Sequence, residues 1–368
     1  MPGGKGNEMR EPFEGDPVAI PNELRDSLLE CSDRCQSVDK FTSSGPQTKI
    51  KAVTHQLLGL HHVTATVADA QDDLDFCLDL LGLRLVKKTV NFDNHNVYHF
   101  YYGDERGTPG TIWTTFPYKG WSVPEGEKGA GQIVTTSFSV PKGSLPFWRA
   151  RLAERGVAAA DGRPRFSDDV IVFRDPSGLV FELIADDDAR TGWESTIDGT
   201  AAIRGLHSVT MVVRDPKPTL ALLTGVLGWQ VVNETDGRVR VGVGGAVSGA
   251  QPGHLMDVLY DAQATPARNG LGTVHHVAMA IATEDQQLAL RDELLAMGLK
   301  VTEVRDRQYF KSIYFREPGG VLFEVATMAP GFTVDEDLRS LGLDLKLPPW
   351  EEPHRAEIET KLPPIAYA

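Results

Sequence analysis

"RDPSGLVFELI", residues 174–184, returns 142 positions later as "REPGGVLFEVA", residues 316–326. The same shift sets Arg165 against Arg307, Gly156 against Gly298, and "IVTTSFSV" (133–140) against the run at 275–282. A second shift, of 146, sets "GLHHVTATV" (59–67) against "GLHSVTMVV" (205–213), and Leu81-Gly82 against Leu227-Gly228. Similarity at a fixed interval marks repeated supersecondary units. The two shifts define four modules, starting near residues 57, 130, 203 and 272.

Each module has one rhythm. A β-branched strand comes first, and an amphipathic helix follows. In "DDLDFCLDLLG" the helical spacing puts Leu74, Leu78 and Leu81 on one face. A glycine ends the helix, and alternating strands joined by glycine-containing turns complete the unit. That pattern is βαβββ, four times. One such unit cannot cover its own sheet, so modules must pair, and paired sheets of this kind curl into a cup. The expected fold class is α+β, with four βαβββ modules paired into two curled mixed sheets. The chain divides into an N-terminal extension (1–56), a first domain of modules 1 and 2 (57–200), a second of modules 3 and 4 (201–329), and a C-terminal tail (330–368).

Composition narrows the function. Of 368 residues, 37 are Lys or Arg and 51 are Asp or Glu, for a net charge of −14. Nucleic acids and anionic membranes reward clustered basic residues, so neither is an expected partner. No apolar run approaches the roughly 20 residues of a membrane helix, and "MPGGKGNEMREPFEGD" has no signal-peptide core. Cys31, Cys35 and Cys77 are too few for a disulfide framework. A reducing, cytoplasmic setting is expected.

The βαβββ repeats, "LHHVT", "VHHVAMA" and "REPGGVLFEVAT" resemble the vicinal oxygen chelate superfamily of glyoxalases, extradiol dioxygenases and antibiotic-binding proteins. More narrowly, "YYGDERGTPGTIWTTFP" (101–117) and the stretch at 330–364 are similar to ring-cleaving dioxygenases that act on hydroquinones. The resemblance spans about residues 57–366. It implies an Fe(II)-dependent enzyme that takes a small aromatic diol and O₂ and works as a homo-oligomer. Mn(II) suits the same ligands.

In this fold the metal-facing places are one position on a module's first strand and one on its last. Modules 1 and 4 carry His62 and His276 on the first strand, where modules 2 and 3 carry Val134 and Ser208. Glu324 closes module 4, and Glu182 stands at the matching place in module 2. Two histidines and one carboxylate leave coordination positions open and suit non-haem Fe(II); the resemblance assigns the same three residues to iron. His207 is a rival, but the shift of 146 sets it opposite His61, and a one-residue slip changes the strand face.

Tyr314 and Arg307 precede the Glu324 strand. A three-residue loop, Pro318-Gly319-Gly320, places Tyr314 opposite Glu324; a two-residue turn sends it to the other face. Alternation points His61 and His275 away from the metal unless a bulge brings them in. The resemblance places His61, Thr64, His275, Arg307 and Tyr314 around the substrate. Tyr314 and the two histidines then move protons or orient hydroxyls, and Arg307 steadies negative charge. His95 and His99, in "NHNVYHFYY", are read as structural, and "GVGGAVSGAQPG" (242–253) as a hairpin. A catechol-type dioxygenase, a glyoxalase-like isomerase or lyase, and a non-catalytic aromatic-binding protein are the alternatives.

Overall fold

The structure, a computed structural model, describes residues 55–162, 166, 168–235, 237–243 and 251–367. The stretch "PNELRDSLLEC" (21–31), whose sequence reads as a short helical candidate, lies outside the described residues, as do Cys35, Arg165 and most of the glycine-rich hairpin.

The described residues run through strand, helix and three strands four times. Module 1 has β1 (Leu57–Val67), a helix over Ala70–Leu74 that continues as a π-helical turn over Asp75–Leu80, then β2 (Arg84–Asn91), β3 (Asn94–Gly103) and β4 (Ile112–Pro117). Module 2 has β5 (Gln132–Pro141), a helix over Leu145–Glu154, β6 (Ala159–Asp161), β7 (Asp169–Arg174) and β8 (Val180–Asp186). Module 3 has β9 (Gly205–Val213), a helix over Pro216–Gly225, β10 (Gln230–Thr235), β11 (Arg238–Gly242) and β12 (Leu255–Tyr260). Module 4 has β13 (Thr273–Ile281), a helix over Glu284–Ala296, β14 (Arg305–Asp306), β15 (Lys311–Arg316) and β16 (Leu322–Thr327). In module 1 the π-helical turn buries Phe76, Cys77 and Leu80 and leaves Leu78 half-buried, so the buried stripe departs from the expected Leu74–Leu78–Leu81 face. Among the described residues, no helix is long and apolar enough to cross a membrane.

The strands form two mixed sheets of eight. One runs β14-β15-β16-β13-β1-β4-β3-β2 and the other β10-β11-β12-β9-β5-β8-β7-β6. The first sheet therefore joins module 1 to module 4, and the second joins module 2 to module 3. Sheet membership thus cuts across a division at residue 200, with each sheet taking one module from either side. The segments that carry the chain between sheets brace one another, through Gly126 N–H to Leu271 O at 2.9 Å and Ala130 N–H to Thr265 O at 2.8 Å.

Alternation sorts each strand into two faces. On β1, Val63, Ala65 and Val67 enter the main core, whereas His62 and Thr64 take the other face. On β16, Phe323 and Val325 enter the core, and Glu324 and Ala326 do not share that face. The core lies between the sheets. Phe76 meets Phe181 at 5.4 Å, and Trp113 of β4 meets the same ring at 5.0 Å. Each such buried aromatic stabilises the fold by about 1.5–3 kcal/mol.

The seams correct one detail of the repeat. Thr64 of β1 pairs with His276 of β13, and Thr210 of β9 pairs with Thr135 of β5. Those strands therefore align at a shift of 141, and Thr135, not Val134, stands where His276 stands. Both ladders carry an irregularity: one skips His275, the other skips Val134. The last strands keep the shift of 142, because Ala278 pairs with Glu324 as Ser137 pairs with Glu182.

The tail packs along the first sheet. Lys87 is fully buried and forms ion pairs with Asp335 and Glu336. Phe332 is buried against Tyr101 and Tyr309, at 5.1 and 5.0 Å. Downstream, Trp350 meets Phe92 edge-on at 5.7 Å, and Glu351 pairs with His95 at 2.8 Å.

Candidate metal centre

Three buried side chains converge on the face of the first sheet that looks away from the main core. The seam between β1 and β13 brings His62 beside His276, with their Nε2 atoms 3.3 Å apart. β16 lies parallel to β13 and supplies Glu324, whose Oε2 is 3.2 Å from His62 Nε2 and 2.8 Å from His276 Nε2. These three donor atoms all lie within 4.8 Å of one another. Glu324 is fully buried, and its Oε1 accepts a hydrogen bond from the Ser312 hydroxyl.

The other ring nitrogens are held from behind. His61 Nδ1 lies 2.9 Å from His62 Nδ1, and His275 Nδ1 lies 2.7 Å from His276 Nδ1. Both neighbours fall where the β1–β13 ladder skips a residue, which lets adjacent histidines approach one another despite alternation. Phe310 packs on the His61 and His62 rings at 4.9 and 5.2 Å. The loop after β15 spans Pro318–Gly320, closed by Glu317 N–H to Val321 O at 3.0 Å, and it sets Tyr314 opposite Glu324. The Tyr314 ring is 5.7 Å from that of His276, and Arg307 Nε donates to its hydroxyl at 3.0 Å. Thr64, two residues after His62 on the same face, shares a 2.8 Å hydrogen bond with Thr114. His207 belongs to the other sheet, where its Nδ1 is 2.9 Å from the Ser208 hydroxyl, so it does not join this cluster. Glu182 accepts from Ser137 at 2.6 Å in that same sheet.

Comparison with known proteins matches this architecture. Residues 205–325 fit the Glyoxalase/Bleomycin resistance protein/Dioxygenase superfamily. The chain is 42% identical over 315 residues, 83% of its length, to the Bacillus subtilis protein named "Putative ring-cleaving dioxygenase MhqE", covering 99% of it. The chain belongs to the glyoxalase/bleomycin resistance protein/dioxygenase superfamily. It is 38% identical over 314 residues to a Sphingobium indicum chlorohydroquinone/hydroquinone 1,2-dioxygenase, covering 82% of this chain and 94% of that one. A solved Bacillus subtilis structure superposes with a TM-score of 0.80 at 38% identity, over 84% of this chain and 98% of the other.

A dioxygenase of this superfamily implies a metal, and the donor set fits one. Burial pushes the His276 imidazole down to about 4, so it is neutral at pH 7. Burial alone would raise Glu324, yet the facing His62 and His276 hold it well below the usual carboxylate range. Its Oε2 finds no hydrogen bond of acceptable geometry, although two imidazole nitrogens stand close by. A buried carboxylate needs a paired charge or a metal, and these three donor atoms can share one ion. The neighbours then fix ring orientation and tautomer, the usual role of groups behind metal-bound histidines.

Sequence reading missed two members of this face. His99 Nε2 is 3.0 Å from the Thr114 hydroxyl, and its ring lies 4.0 Å from that of Tyr101. On β3, Tyr98 and Phe100 enter the main core while Tyr101 joins Phe310, Ala278 and Ala326 on the metal side. His99, read as structural, shares the Tyr101 face. His95, also read as structural, pairs with the tail instead. Beside the centre, a recess of about 410 Å³ is lined by Phe92, Asp93, Arg305, Asp306, Arg307 and Trp350. Asp93 holds both arginines there, at 3.1 Å each.

Proposed function

We propose that this chain is a ring-cleaving dioxygenase for hydroquinone-type diphenols, with Fe(II) held by His62, His276 and Glu324. One observation carries the reading: two imidazole nitrogens and one carboxylate oxygen converge, buried, in a chain related to a chlorohydroquinone/hydroquinone 1,2-dioxygenase. When bound, the iron supplies open coordination positions for a diol oxygen and O₂, and a route for electron density between them. Mn(II) fits the same donors.

The chain's own residues do the rest. His61 and His275 fix the ligand rings through Nδ1, so their part is positioning before proton transfer. Tyr314 is kept neutral, since burial raises its phenol well above the ordinary range while Arg307 opposes that shift. Arg307 donates to the Tyr314 oxygen, which leaves the tyrosine proton free to be given to substrate. The same guanidinium favours negative charge developing on that side of the ring. Thr64 lies on the His62 face and can orient a hydroxyl. Phe310 and Tyr101 exclude water from the space around the ligands.

The test is anaerobic loading with Fe(II), then oxygen uptake with hydroquinone, catechol and a hemithioacetal. Uptake with hydroquinone and ring-opened product support the reading. Metal-dependent turnover of the hemithioacetal without oxygen would replace it with the isomerase alternative.

A further inference from the structure

Most polar groups around the ligands already have protein partners. Arg307 and Tyr314 bond to each other, and Arg307 is also tied to Asp93. Thr64 bonds to Thr114. His61 lies against Nδ1 of one ligand and His275 against Nδ1 of the other. Two groups on β3 differ. His99 uses Nε2 toward Thr114, and its Nδ1 has no protein partner among the described residues. The Tyr101 hydroxyl has none either, although the residue is buried. Their rings lie side by side, and both groups sit within electrostatic reach of Glu324 and Arg307.

A para-diphenol that gives one oxygen to a metal must hold its second hydroxyl against the protein. We infer that His99 and Tyr101 form the wall that receives this second hydroxyl and so select neutral diphenols with two separated hydroxyls. The inference rests on the ring-cleaving reading and adds the specificity-determining pair. Phenol and imidazole are each able to donate or accept, and so is the hydroxyl they face. Neither carries charge: burial and the facing His62 push His99 well below the usual imidazole range, and burial raises Tyr101. A carboxylate at that place on the ring meets the two uncharged groups of this wall in place of a cation.

Binding tests this apart from turnover. The Fe(II)-loaded protein is titrated anaerobically with hydroquinone and with 4-methylphenol, which keeps one hydroxyl and the ring's length. Wild type is expected to prefer hydroquinone. Tyr101→Phe and His99→Phe should each weaken hydroquinone about tenfold or more, the scale of one lost buried hydrogen bond, and leave 4-methylphenol within about twofold. His99→Gln, which keeps an amide for Thr114 and the ligand, should recover part of the loss. Equal weakening of both ligands marks a packing role and overturns the inference. So does unchanged hydroquinone affinity, or a wild type that fails to discriminate. If discrimination holds but no diphenol drives oxygen uptake, the dioxygenase reading fails and the binding wall stands.

Discussion

Glu324 shows how much one residue depends on its neighbours. Its carboxylate is buried by an apolar strand, fixed by Ser312, and faced by the His62 and His276 imidazoles. The sequence made this legible because the repeat sets "FEVA" against "FELI", and only module 4 has a histidine seam beside it. Tyr314 was legible too, since loop length alone decides its face. His99 and Tyr101 were not. Their face depends on the β3–β4 register, in which Tyr101 pairs with Thr114. The intervening loop leaves that register open in the sequence. Tyr314→Phe is expected to lower kcat about 100-fold, the lower range for a positioned proton donor. KM and iron content should stay within a few-fold, because the ring against His276 remains. An unchanged kcat in steady-state oxygen uptake would remove Tyr314 from the chemistry.

The elements explain where repeat logic slipped. An ungapped shift of 142 matches module 2 to module 4 well, yet the first strands align at 141, because a ladder irregularity is not visible as an insertion. Gly131 and Gly272 mark the true offset: both sit at positive φ, +89° and +76°, at the entry to their strands. The first helix adds a test of its own. Asp73 is buried there and accepts from the Tyr102 and Thr115 hydroxyls, at 2.7 and 2.5 Å. Burial raises its carboxyl from 3.8 to about 6, against those hydrogen bonds. A raised acid contributes stability that is complete below about 3.8 and fades as pH rises through about 6. The span is worth about 2–3 kcal/mol. Chemical denaturation of Asp73→Asn should therefore show a flatter stability profile than wild type between pH 4 and 7. Parallel profiles would mean that the carboxyl ionises as easily folded as unfolded.

At the scale of the whole molecule, the two sheets share one architecture and differ in what lines them. The seam of modules 1 and 4 carries His62, His276 and Glu324; the seam of modules 2 and 3 carries Ser208, Thr135 and Glu182 at the matching places. Four modules and two curled sheets were legible from repetition. Which module joins which was not, because it depends on crossovers whose mutual bracing leaves no sequence pattern. The centre also links the first and last modules, so a bound ion ties together segments that lie 214 residues apart. The most direct measurement is the iron content of protein loaded anaerobically with Fe(II) and desalted. Wild type and Glu182→Ala should each retain one iron per chain. His62→Ala, His276→Ala and Glu324→Ala, each shown to be folded by circular dichroism, should lose most of it. Full iron in those three variants, or its loss in Glu182→Ala alone, would contradict the account.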